Sequence, residues 1–221
     1  MESRARLGKM ENPVRGFLHG SAAIASIAGT ILLIVRAHSL SGRLAVSVFG
    51  LSLIALFTTS SLYHAVPWRP AWKARMQRLD HSMILLLVAG SFTPIAVIVL
   101  GGPWGIATMA VVWGLAVFGM GRLALAKNAK TGTSIALSTT IGWLGLFLIV
   151  PLAQRVGMGA VLGIAAGGLV YTIGMVMMVT QRPRLWPRVF SYHEVFHILV
   201  IVASATHWMV TYRWVAPYAA A

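Results

Sequence analysis

Apolar runs dominate this chain and recur seven times along its length. Each run holds about 20 residues, which is the length that a helix needs to cross the hydrocarbon core of a bilayer. The pattern predicts membrane-spanning helices over residues 17–35, 44–65, 79–100, 103–121, 133–153, 157–179 and 190–212. A transmembrane barrel would instead show segments of about ten residues with alternating polarity. We therefore expect an all-α, polytopic membrane protein, folded as a single seven-helix domain over residues 1–221.

The composition supports this class. Of the 221 residues, 58% are hydrophobic and only 10% are charged, whereas soluble domains carry about 25% charged residues. The basic N-terminus precedes an apolar run, as in a signal peptide. That run is longer than the usual h-region of about 7–15 residues, so we expect an uncleaved first span.

The basic residues predict an orientation. The net charge is +14, and 14 of the 18 Lys and Arg residues lie at the N-terminus or in the second, fourth and sixth connections. By the positive-inside rule, the N-terminus is cytoplasmic and the C-terminus is outside. Contact with anionic headgroups explains these charges, so we expect no nucleic-acid partner. The expected location is the inner (plasma) membrane. The longest predicted connection between spans runs from Val66 to Arg78.

Two histidines, His193 and His197, stand four residues apart at the start of the last run. On a helix they share one face, with about 5–6 Å between their Cβ atoms. The predicted topology brings His64, at the end of the second run, and Asp80, at the start of the third, to the same end of the bundle. Ionisable residues inside a membrane are candidates for function. The chain has four acids and no cysteine, so any metal must be held by imidazoles or carboxylates.

This constellation is typical of a catalytic metal site. Three imidazoles, from His64, His193 and His197, with one open position form the arrangement of catalytic zinc, although the donor set admits other divalent ions. The ion would activate a water molecule. Asp80 is the candidate to hold that water and accept its proton. Ser60, one helical turn before His64, can bond to Asp80 or to substrate.

The other polar residues near these positions have simpler interpretations. In water-soluble metalloproteases, the glutamate of His-Glu-x-x-His is a general base; we favour instead that Glu194 occupies a first helical turn, where a carboxylate suits the helix dipole. His81 points away from Asp80, which suggests either packing or a supporting contact to the residues of the site. His19 suggests a headgroup contact or packing rather than ligation. His207 lies ten residues beyond His197, about 15 Å deeper, and is not expected to join the cluster.

Two further features predict architecture. Pro94, within the third run, lacks an N–H and should kink its helix. A stripe of glycines on one face of the sixth run predicts close helix packing. Its members are Gly159, Gly163, Gly167 and Gly174. His38 is expected in an exposed loop.

Several motifs together resemble one family. They are Ser60-x-x-Tyr63-His64, Leu79-Asp80-His81, Gly90-Ser91-Phe92-Thr93-Pro94 and His193-Glu194-x-x-His197. The chain resembles the hemolysin III family, the bacterial branch of the progestin and adipoQ receptors, within a superfamily that includes alkaline ceramidases. The resemblance implies a seven-helix bundle with a cytoplasmic N-terminus. It also implies zinc at the three histidines, Asp80 and Ser60 beside a zinc-bound water, and, for the receptor branch, hydrolysis of ceramide-like amides.

The first functional hypothesis is an intramembrane zinc hydrolase that cleaves a lipid amide or ester, with a membrane lipid as substrate and protein partners unspecified. A second is a membrane-lytic or pore-forming hemolysin. A third is a sensor of lipid or membrane state in which zinc is structural. An intramembrane protease is a weaker fourth hypothesis, since it rests on His193-Glu194-x-x-His197 alone.

Overall fold

Seven helices of membrane-spanning length form the described part of the chain in a computed structural model. The structure describes residues 10–125, 131–186 and 189–218. In chain order the helices are α1 (Pro13–Arg36), α2 (Leu40–Ala65), α3 (Pro70–Leu100), α4 (Gly102–Leu125), α5 (Ser134–Val156), α6 (Met158–Thr180) and α7 (Tyr192–Val215). The prediction of an all-α, seven-span membrane protein is confirmed.

The predicted span limits agree with the helices to within four residues, with one exception. Helix α3 begins at Pro70 rather than at residue 79. The connection predicted from Val66 to Arg78 is therefore wrong in extent and covers only residues 66–69. A proline suits the first turn of a helix, because its missing N–H needs no partner there. The basic residues that follow lie on this extension of the helix.

The irregularity expected at Pro94 takes the form of a π-helical segment. Residues Ile95–Leu100 continue α3 with that wider hydrogen-bonding pattern, so the proline alters the helix without ending it. The last carbonyls of a helix lack partners inside it. Arg155, near the end of α5, donates to the carbonyls of Val99 at 2.6 Å and Leu100 at 2.5 Å. This contact ties α5 to the end of α3.

The glycine stripe of α6 packs against α7, as predicted. A Cβ atom built at any of the four glycines would meet a side chain of α7. In order from Gly159 to Gly174, those side chains belong to Trp214, Val210, His207 and Phe196. The stripe therefore lets α7 lie close to α6, and it gives the His207 imidazole its place.

Because consecutive helices run in opposite directions, the end of α2 and the starts of α1, α3 and α7 lie at one end of the bundle. One cluster of buried apolar residues joins α1, α2 and α7, and a second joins α3, α4 and α5. The candidate site lies among these helices at that end. Several bases that support the predicted orientation lie outside the described residues, and the orientation stays a prediction. They are Arg4, Arg6, Lys9, Lys127, Lys130 and Arg188.

Candidate metal centre

Three imidazoles meet at this end of the bundle. His64 belongs to the last turn of α2, and His193 and His197 belong to the first turns of α7. The ring centroids lie 4.8 to 5.1 Å apart, and one nitrogen from each ring lies within 4.8 Å of the others. The structure thus brings together the three ligands that the sequence predicts. No other such group of His, Asp or Glu occurs among the described residues.

The start of α7 is fixed by a capping carboxylate. Glu194 accepts a hydrogen bond from the backbone N–H of Ser191 at 2.8 Å. Its other oxygen accepts from Nε of Arg15, on α1, at 2.6 Å. These contacts satisfy one of the free N–H groups at the helix start and hold the turn that carries His193 and His197. Glu194 therefore occupies the first helical turn, as favoured from the sequence.

The cluster fits a divalent ion. His64 and His197 are buried, and His193 is half-buried. Two nitrogens that bind one zinc ion at about 2.0–2.1 Å can lie no more than about 4 Å apart. The observed limit of 4.8 Å is slightly wider, a difference that side-chain rotation can close. Imidazole donors without sulfur suit zinc and several other first-row metals.

Asp80 and Ser60 line the same cavity as the three histidines. Both side chains are buried, and the Ser60 hydroxyl interacts with the Asp80 carboxylate. Asp80 is not among the residues whose donor atoms converge on one point. Asp80 therefore lies outside the set of convergent ligands.

The histidines open into a cavity of about 460 Å³. Every described helix except α4 contributes to its walls, and this volume is within the range of small-molecule sites, about 300–1,000 Å³. Its lining is mostly apolar and includes Leu56, Leu87, Met175, Phe196 and Val200. The cavity extends along α7 from the metal centre towards mid-span. It therefore suits an elongated apolar group attached to a polar end.

A second space lies next to the cavity. A groove between α5 and α6 is lined by residues that include Ala136 and Val176. Five residues line both the groove and the cavity. They are Ile135, Thr139, Trp143, Thr172 and Met175. The cavity and the groove thus share part of one wall.

Two residues near the site were not assigned to it from the sequence. His19 stacks on His197, with ring centroids 3.9 Å apart, although it lies outside the group of convergent donors. Arg15 was counted among the bases that face headgroups, which is wrong, because it is buried and paired with Glu194. Arg15 and His19 are four residues apart and therefore lie on one face of α1. This spacing was the feature of the sequence that could have indicated that both residues face the site.

His81 and His207 also line the cavity. The backbone carbonyl of His81 accepts a hydrogen bond from Ser134 at 3.3 Å, which joins α3 to α5. His207 lies outside the metal cluster, as predicted. His38 is exposed, as predicted.

The family model described as haemolysin-III related matches residues 8–208. The chain belongs to this family. It is 32% identical over 213 residues to Hemolysin-3 of Bacillus cereus, an alignment that covers 95% of this chain and 94% of that protein. It is also 28% identical over 203 residues to the Hemolysin-3 homolog of Bacillus subtilis, with 88% and 90% covered. The resemblance found in the motifs is confirmed.

The similarity extends to mammals. The chain is 21% identical over 211 residues to the human Monocyte to macrophage differentiation factor, covering 92% of this chain and 84% of that protein. The sequence similarity thus extends over nearly the whole length of the chain. The haemolysin III chain described here is a multi-pass membrane protein with a buried histidine group that can hold a metal ion.

Proposed function

We propose that this protein hydrolyses an amide or ester bond of a membrane lipid at a zinc ion held by His64, His193 and His197. One observation carries the proposal: the three imidazoles open into an apolar cavity between helices of membrane-spanning length. An acyl chain fills such a cavity, and its carbonyl end reaches the histidines. The separate position of Asp80 favours an open catalytic site over a closed structural one.

The chemistry divides between the metal and the chain. A zinc ion with three protein ligands and an open position supplies Lewis-acid activation of water and carbonyl groups. Asp80 accepts a proton from the attacking water molecule while the water oxygen bonds to the lipid carbonyl carbon. Asp80 then returns that proton to the departing nitrogen or oxygen, and a fatty acid and an amine or alcohol are released. Ser60 orients the Asp80 carboxylate through its hydroxyl.

Metal content and lipid hydrolysis, measured on the detergent-purified protein, test this proposal. We expect about one zinc per chain in the wild type and in Asp80→Asn, and loss of zinc in His64→Ala. Removing a general base typically costs about 10²–10⁴-fold in rate, so Asp80→Asn should hydrolyse lipids at least 100-fold more slowly. His38→Ala, which changes an exposed histidine, should retain both properties. Absence of a divalent metal, or full activity in Asp80→Asn, would refute the proposal.

Lipid entry between α5 and α6 follows from the shared walls of groove and cavity. Ala136 is exposed in the groove, so Ala136→Trp should obstruct the entrance and slow hydrolysis of bilayer lipids. Ala110 is exposed on α4 and lines neither space. Ala110→Trp is therefore the matched control. Equal rates for the two variants, with zinc content unchanged, would argue for another entrance.

The site is proposed to face the cytoplasmic leaflet of the plasma membrane, since the bases concentrate at that end. Reporter fusions at the two termini test this orientation. An external N-terminus would contradict it.

Membrane lysis is the second candidate, and the name of the Bacillus cereus relative favours it. Dye release from liposomes by the wild type, but not by His193→Ala, would support lysis through the same site. A zinc-dependent sensor is the third candidate. It would be favoured by a partner response that survives the loss of hydrolysis in Asp80→Asn.

A further inference from the structure

The cavity contains a second polar region, far from the histidines that form the metal centre. We call it the mid-cavity polar cluster, and it consists of Tyr171 on α6 with Ser204 and His207 on α7. Ser204 and His207 lie seven and ten residues beyond His197, which corresponds to about 10 and 15 Å along a helix. Tyr171 and His207 line the same cavity as the metal centre. The cluster is therefore near the middle of the membrane-spanning region.

The cluster is held rigidly by its neighbours. The Tyr171 hydroxyl and the Ser204 hydroxyl lie 2.6 Å apart, and the rings of Tyr171 and His207 are in edge contact, with centroids 5.6 Å apart. Behind the imidazole, Gly167 leaves the space that a Cβ atom would fill. Polar groups at this depth are costly and mark functional sites by default. Two members of this cluster, Tyr171 and His207, contact the cavity as well as the neighbouring helix.

The hydrogen bonds of the cluster determine what it can recognise. His207 Nε2 lies 3.2 Å from the carbonyl oxygen of Ile164. A carbonyl only accepts, so Nε2 carries the proton, and Nδ1 of the uncharged ring is an acceptor. The Tyr171 oxygen also retains a lone pair whichever hydroxyl donates in its pair with Ser204. A ligand that complements these acceptors presents an O–H group.

We propose that the mid-cavity polar cluster binds a hydroxyl group in the middle of a lipid acyl chain. This inference rests on the proposed function, because it takes the metal centre as the position of the carbonyl end. The apolar lining between the two polar regions accepts methylene groups, and the cluster accepts the hydroxyl. The preferred substrates are then amides or esters of mid-chain hydroxylated fatty acids, and the free hydroxy acid is the product.

Competition binding tests the inference without requiring hydrolysis. The zinc-loaded protein in detergent is given a fluorescent fatty acid, which is displaced by stearic, 2-hydroxystearic, 12-hydroxystearic or 12-methoxystearic acid. One buried hydrogen bond is worth about 1 kcal/mol, so 12-hydroxystearic acid should bind about five- to tenfold more tightly than stearic acid. The methoxy acid, which cannot donate, and the 2-hydroxy acid should show no such gain.

Two variants locate the effect. His207→Phe removes the Nδ1 acceptor together with the ring N–H, and Tyr171→Phe loses only a hydroxyl. Both should reduce the preference to about twofold or less while zinc content stays unchanged. Thr206→Ala is the control, because its hydroxyl bonds within its own helix and does not line the cavity.

Equal binding of stearic and 12-hydroxystearic acid by the wild type, or no binding of either, would overturn the inference. So would an undiminished preference in both variants. Hydrolysis of plain and hydroxylated amides at equal rates would leave the hydrolase proposal intact and remove this one. A measured binding preference without hydrolysis of any lipid would leave the polar cluster as a binding site and remove the hydrolase.

Discussion

Breaking the buried ion pair between Arg15 and Glu194 should destabilise the protein far more than breaking the partly exposed pair between Lys73 and Glu11. The two pairs have nearly the same length, 2.6 and 2.7 Å. Their side chains are 7% and 4% exposed in the first pair, and 27% and 37% exposed in the second. Removing one partner of a buried pair costs about 3–5 kcal/mol, because the other charge stays buried. An exposed pair contributes about 0–1 kcal/mol.

Glu194→Ala and Glu11→Ala convert this contrast into an experiment. For a chain of this size, 1 kcal/mol shifts Tm by about 2–4 °C. We therefore expect Glu194→Ala to lower Tm by about 6–20 °C, and Glu11→Ala by less than about 4 °C. Thermal unfolding in detergent, followed by size-exclusion chromatography of the remaining monodisperse protein, measures both. Glu194→Gln should fall between them, since its amide oxygen can still accept the Ser191 N–H.

The same variants separate two roles of Glu194. Loss of the cap loosens the turn that carries His193 and His197, so Glu194→Ala should also weaken zinc binding, although Glu194 is not a ligand. Equal Tm shifts for Glu194→Ala and Glu11→Ala would refute the argument from burial. Full stability of Glu194→Gln, together with complete loss of lipid hydrolysis, would instead identify Glu194 as the general base.

Three other predictions concern packing, capping and metal removal. Gly167→Ala should lower stability by about 1–3 kcal/mol, because the added methyl group would overpack against the His207 imidazole. Gly168→Ala has open space around its Cβ position and should be neutral or stabilising by up to about 1 kcal/mol. Thermal unfolding of the two variants checks this. Arg155→Ala should cost about 1–2 kcal/mol through loss of hydrogen bonds to two carbonyls, and Arg213→Ala less than about 0.5 kcal/mol, measured in the same way. Chelation of the metal should lower the Tm of the wild type, because binding to the native state stabilises it, and should leave the Tm of His64→Ala unchanged.

Much of the fold and of the candidate site follows from local pattern. Apolar runs of about 20 residues have one stable form in a bilayer, so the seven helices were predictable. The topology then placed His64 and Asp80 at the same end as His193 and His197. A spacing of four residues on a helix fixes which side chains share a face. For these reasons the three-histidine cluster could be predicted without knowledge of helix packing.

Features that depend on packing between distant helices were not predictable. Arg15 was grouped with the bases that contact headgroups because the positive-inside rule only counts charges. The rule takes no account of which helix packs against a given base. The stacking of His19 on His197 depends on the rotation of α1 against α7. The start of α3 at Pro70 was missed because the basic residues before residue 79 lower the hydropathy without breaking the helix. The local hydropathy therefore predicted where the apolar part of α3 begins, and not where the helix itself begins.

Helix α7 is attached to the rest of the site end through polar groups as well as through the buried apolar cluster that it shares with α1 and α2. Glu194 joins its first turn to Arg15 of α1, and a metal at the imidazoles would join the same turn to His64 of α2. Residues of α2, α3 and α7 line the cavity, among them Leu56, Leu87 and Val200. A cavity removes contacts that its lining would otherwise make, so directional links must hold the surrounding helices. The ion pair and the metal site therefore have a structural role as well as a chemical one, and this coupling is the reason that a residue outside the metal ligands is expected to control metal affinity.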